Sequence, residues 1–281
     1  MKLGKAITAG FGRAARSLKA ILVIWLFSVI GISIIALPVK SGVMTNLGSS
    51  MASELIKDSF SIDFWTGLDV TMPLLGGFLK GLAYLIFIYF FLNVFLTGGL
   101  FDSLRANVCG YTLKSFFKSS AANFFSFLTV TLLVLLMIIF SAALIIGVPV
   151  LITRSGDGGD AAILGTVKIA RIVYFLLVPV FLLVADYSRS WLAANNKKLI
   201  FKSLGYGFRA TFSSFLSSYI FMLLLVAIQL GFLLLVTKLM SFTTGTVGGL
   251  FVLFIVSQAL IIIKLFLRAW RYGGVTTLFT I

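Results

Sequence analysis

Six apolar stretches, 20–37, 78–100, 124–147, 169–185, 214–236 and 248–267, each come close to the length of a bilayer crossing. A helix needs about 20 mainly apolar residues to span the hydrocarbon core. Between them, apolar residues make up 60% of the chain and charged residues only 11%. A soluble domain of similar length is about 45–50% apolar and about 25% charged, so too little polar surface remains to face water. The chain therefore reads as an all-α, polytopic membrane protein forming a single integral domain. Its basic leader precedes an apolar run too long for a signal peptide and without a small-residue cleavage site, so 20–37 is expected to stay as the first membrane helix.

Charge fixes the orientation. The N-terminus, the second and fourth connections and the C-terminus carry sixteen basic residues and two acids, Asp102 and Asp186. The opposite side carries seven basic residues and six acids. Lys and Arg collect on the cytoplasmic side of membrane proteins, so both termini are expected in the cytoplasm, as an even number of spans requires. The net charge of +15 is read as topology and attraction to anionic lipid rather than as a nucleic-acid footprint.

The basic cytoplasmic stretches have helical phase. At about 100° per residue, Leu3, Ile7, Phe11, Ala14 and Leu18 gather opposite Lys2, Lys5, Arg13, Arg16 and Lys19. Leu113, Phe116, Phe117, Ala121 and Phe124 face away from Ser115, Lys118 and Ser119, and Phe201, Leu204, Phe208 and Phe212 from Lys198, Lys202 and Arg209. Such helices lie in the headgroup layer with their cations against anionic lipid. Interfacial helices are thus expected at 2–18, 111–122 and 198–212, each preceding a helical hairpin. Arg13, Arg16, Lys198, Lys202 and Arg209 flank the apolar stripes and are the candidate anionic-lipid contacts.

An internal repeat supports three parallel hairpins. Residues 114–128 overlay residues 202–216 without a gap, with seven of the fifteen positions identical, among them Lys114/Lys202, Phe124/Phe212 and Ser126/Ser214. Asp102 and Arg105 close the second span as Asp186 and Arg189 close the fourth. The repeats run over 1–105, 111–189 and 198–271. Both Asp–Arg pairs are i,i+3 and are read as interfacial ion pairs, each worth roughly 0–1 kcal/mol. Inside the spans the polar residues are Asn93, Gln229 and Gln258, read first as interhelical hydrogen-bond glue and alternatively as the lining of a solute path.

Catalytic chemistry has few residues to work with. Histidine is absent, Cys109 is the single cysteine, and no Asp or Glu lies in the middle of a span. That removes the usual general base and the commonest metal ligand, and with them the expectation of a metal or cofactor. Asp157 and Asp160 fall far short of the six to eight oxygens calcium takes, and no P-loop or nucleophile elbow occurs.

The turn Asp186-Tyr-Ser-Arg189, followed by a basic amphipathic stretch into 212–216, resembles uncharacterised bacterial six-helix inner-membrane proteins, whose related membrane domains are found attached to glycerophosphodiester phosphodiesterases. The resemblance implies a six-helix fold and an inner-membrane location. No phosphodiesterase domain is present here, so that activity and its residues are not carried over. The expected function is a non-enzymatic module that binds membrane lipid or partner membrane proteins. The alternative is a transporter or channel for a small or amphiphilic solute. Absent midspan carboxylates weigh against ion-coupled transport.

Overall fold

The computed structural model describes residues 2–47, 72–105, 112–155, 159–195, 199–243 and 247–280. Among these residues the secondary structure is helical and no strand occurs. In chain order the helices are α1 (Lys2–Arg16), α2 (Leu18–Leu47), α3 (Met72–Arg105), α4 (Leu113–Ala142), a π-helical turn (Ala143–Gly147), α5 (Val148–Ser155), α6 (Asp160–Asn195), α7 (Ile200–Ser213), α8 (Phe215–Thr243) and α9 (Val247–Thr280).

Four segments are long and apolar enough to cross a membrane: Ala83–Leu104, Leu113–Ser155, Ala161–Asn195 and Phe215–Lys238. The pair Ala6–Arg16 and Leu18–Gly31, bent by 65°, forms a fifth if it is one broken span. The sixth expected stretch, 248–267, is helical within α9. Lys264, Arg268 and Arg271 lie close together on α9, and its described residues contain no apolar run of crossing length. The fourth stretch is far longer than 169–185, because α6 runs from Asp160 through Pro179 to Asn195. Pro179 withholds one intrahelical bond, which packed membrane helices tolerate. Before Pro149 the ladder widens into the π turn Ala143–Gly147, a usual way to absorb a residue that cannot donate.

The chain divides into two compact units, one of Met1–Leu22 with Val94–Ile281 and one of Val23–Asn93. In the second unit a side chain built on Gly31 of α2 would meet Leu92 of α3 at 3.8 Å, and Phe87 and Phe91 meet edge to face at 4.8 Å. α2 continues past the apolar stretch 20–37 to Leu47; Cys109 and Lys198 lie outside the described residues.

Within the first unit the amphipathic segments follow one packing rule. α1 docks on α9 and α7 docks on α6. The crossings are made by small residues. α1 buries Ala6, Gly10 and Ala14, and a Cβ on Gly10 would stand 2.7 Å from the Gly274 backbone nitrogen. α7 buries Ser203, Gly207 and Thr211, with Gly207 against Ser188 and Val184 of α6. At the start of α4, Ser120 approaches Gly98 of α3, where a Cβ would meet the Ser120 Cα at 3.0 Å. Small residues at four-residue spacing let helix backbones approach closely in membranes.

The stripe that docks α1 on α9 is Ala6, Gly10 and Ala14, which leaves the larger apolar side chains outward. Phe11 stays 47% exposed, with its ring edge-on to Phe266 at 5.3 Å and Trp270 at 5.1 Å. On α7 the Phe201 and Phe212 rings likewise stay exposed. The separate helix expected at 111–122 is corrected, since α4 continues from Leu113 to Ala142 without a break. Thr112 caps it by accepting from the Ser115 amide at 3.2 Å. The aligned residues Ser126 and Ser214 thus differ. Ser126 is buried mid-helix, and its neighbour Phe127 packs on Phe101 at 5.6 Å. Ser214 breaks the chain between α7 and α8 with φ −124° and ψ 34°.

Candidate functional site

The charged centre of the first unit lies where α6 and α9 meet. Asp186 is completely buried. Its Oδ2 faces Nε of Arg271 at 2.8 Å, and its Oδ1 takes Arg189 Nη1 at 3.3 Å and Arg271 Nη2 at 3.4 Å. The closest approach is an ion pair off the hydrogen-bond line, held by charge rather than by alignment. Arg189 also donates through Nη2 to Thr131 of α4 at 3.0 Å. Arg268 donates from Nε to the Tyr272 hydroxyl at 3.0 Å and from Nη2 to Thr97 of α3. Tyr272 stacks on Phe101 of α3 at 4.5 Å, with the Arg271 guanidinium 5.0 Å from its ring centre. Four helices are therefore cross-linked through one carboxylate, three guanidiniums and one aromatic stack.

The i,i+3 pairing of Asp186 with Arg189 is present. Burial changes its weight, because a carboxylate taken out of water costs several kcal/mol unless it is well paired. The surface value of roughly 0–1 kcal/mol does not apply here. Sequence reasoning placed Arg268 and Arg271 among the topology charges of the C-terminus and missed their part in this cluster. The signal available was Arg268-x-x-Arg271, one helical turn apart, ending the last apolar stretch as Asp186 and Arg189 end the fourth. Asp102 is half-buried, and Arg105 lies at the last residue of α3.

The candidate lipid contacts stand on two different helices. Arg16 of α1 and Lys202 and Arg209 of α7 are exposed. Arg13 is partly buried and donates from Nη1 to Thr276 at 2.8 Å, close to Trp270, whose Nε1 donates to the Ile7 carbonyl at 2.9 Å. Arg13 therefore helps hold α1 on α9.

The three midspan polar residues stand on three helices, Asn93 on α3, Gln229 on α8 and Gln258 on α9. Asn93 ends the second unit. Gln229 lines a cavity of about 590 Å³ between α8 and α9, together with Ser257 and Lys264, and Gln258 does not line it. Other polar side chains join helices in pairs: Tyr187 and Ser218 at 2.6 Å, Tyr174 to the Ile138 carbonyl at 3.2 Å, and Tyr219 to the Leu176 carbonyl at 2.8 Å. Among the described residues, no three His, Cys, Asp or Glu side chains group to hold a metal ion.

No family model matches the chain, and no match was found among curated proteins or solved structures.

Proposed function

We propose that this is a non-enzymatic, multi-pass protein of the bacterial inner membrane that binds anionic lipid at its cytoplasmic face. In this reading it has six spans paired as three hairpins and both termini in the cytoplasm. The observation that carries the reading is the outward face of α7. This helix docks by Ser203, Gly207 and Thr211, leaving Phe201 (82% exposed) and Phe212 (63% exposed) outside together with exposed Lys202 and Arg209. Exposed aromatic rings beside cations suit the headgroup layer, where rings enter the acyl boundary and cations meet phosphate. Each basic residue near an anionic leaflet contributes about 1 kcal/mol, within a Debye length of about 8 Å.

The test replaces Arg16, Lys198, Lys202 and Arg209 with Gln in the full chain, keeping Arg13, whose bond to Thr276 holds α1 on α9. Copurifying phosphatidylglycerol and cardiolipin are then measured by mass spectrometry. Less anionic lipid on a protein of unchanged helicity is expected. Unchanged lipid content would leave these charges a topological role only, and the reading would be abandoned. The non-enzymatic part fails separately if the purified protein turns over a lipid substrate and loses that turnover in Asp102→Asn or Asp186→Asn.

A further inference from the structure

We infer that the cavity between α8 and α9 is a binding groove for one acyl chain of an anionic phospholipid of the cytoplasmic leaflet, with Lys264 reaching its phosphate. This rests on the lipid-binding reading above and gives it a place and a ligand.

The groove is built for an amphiphile. On α8 it presents Gln229, Leu230 and Leu233; on α9 it presents Ser257, Leu260 and Lys264. Its volume, about 590 Å³, falls in the range of small-molecule sites, about 300–1,000 Å³. Leu230 and Leu233 are about half exposed, so the groove opens on the outside of the helix pair, where lipid lies, rather than into the bundle.

Length and polarity set the ligand. The lining residues of α9 run from Ser257 to Leu267. At 1.5 Å per residue that is about 15 Å, half of a hydrocarbon core of about 30 Å. A groove half a bilayer long suits a chain from one leaflet. Its single charge, Lys264, lies toward the end of α9 that carries Arg268 and Arg271, the side assigned to the cytoplasm. An exposed lysine on a four-carbon stem extends toward the headgroups and there meets a phosphate. Gln229 lies on the same wall and makes no hydrogen bond to protein among the described residues, so its amide is left to a ligand's oxygen atoms. Ser257, by contrast, spends its hydroxyl on the Phe254 carbonyl at 2.7 Å.

The experiment uses the purified full chain and native mass spectrometry, with phosphatidylglycerol and phosphatidylcholine of identical acyl chains as probes. The wild-type protein is expected to retain phosphatidylglycerol in preference to phosphatidylcholine. Lys264→Gln should lower phosphatidylglycerol retention about fivefold, the equivalent of the roughly 1 kcal/mol of one basic residue beside an anionic headgroup, and leave phosphatidylcholine unchanged. Lys264→Arg should restore the preference. Leu233→Trp, which fills the groove at an exposed position, should lower retention of both lipids. If the preference survives in Lys264→Gln and Leu233→Trp alike, the groove is not the site, although the basic α7 face still binds lipid. If the wild-type protein shows no preference, the functional reading falls as well. Lys264 is exposed and pairs with no acid among the described residues, so its replacement does not confuse unfolding with lost binding.

Discussion

Arg271 Nε stands 2.8 Å from Asp186 Oδ2, and this contact ties α9 to α6 across 85 residues of chain. The carboxylate is fully buried, so the pair is a structural commitment more than a gain in stability. Removing one partner of a buried pair costs about 3–5 kcal/mol, because the other charge is left uncompensated.

Asp186→Asn and Arg271→Gln should therefore each lower the melting temperature sharply in detergent, read by intrinsic fluorescence. The double variant should lose less than the sum of the two, since neither charge is then stranded. Purely additive losses would mean that the two residues act independently.

The helix crossings give a contrast between glycines. Gly10→Ala forces a methyl to within 2.7 Å of backbone and should loosen α1 from α9; Gly207→Ala meets Ser188 and the Val184 carbonyl on α6. Gly205→Ala has open space around it and should be neutral or stabilising, by up to about 1 kcal/mol from helix propensity. Protease protection of α1 and α7 checks all three, and equal behaviour of Gly205→Ala and Gly207→Ala would remove the close-packing argument.

Tyr187→Phe removes a hydroxyl paired with Ser218 at 2.6 Å between α6 and α8. It should cost about 0.5–1.5 kcal/mol, the net worth of one hydrogen bond, because the Ser218 hydroxyl keeps Ser214 as a partner at 3.1 Å. Ser218→Ala in the Tyr187→Phe background should cost more in the same melting assay, since it then leaves Ser214 without that partner.

Orientation has its own test. Reporter fusions at Gly158 and Asn195 should report opposite sides of the membrane. A common side would overturn the hairpin reading.

Much of the fold was legible because apolar length is a strong signal: the six stretches are helical apart from Ser214, at the break between α7 and α8. The helix-contact faces were not legible, because hydrophobicity points to large side chains whereas helix contact here depends on closeness. Ala6, Gly10 and Ala14 are weakly apolar and still form the docked stripe, while Phe11 remains half outside. The Asp186–Arg189 pair was visible as i,i+3 spacing. Its third partner, Arg271, was not, since 82 residues separate it from Arg189 and only the packing of α6 on α9 brings them together. Arg13 stands among the exposed cations in sequence, but its bond to Thr276 spends it on structure.

The docking of α1 on α9 also sets an order on biosynthesis. The Ile7–Trp270 and Arg13–Thr276 bonds each join residues 263 positions apart. α1 therefore has no α9 to dock on until the 263 positions between their bonded residues have been made. Until then its small-residue face stays open, a mark that docking later hides.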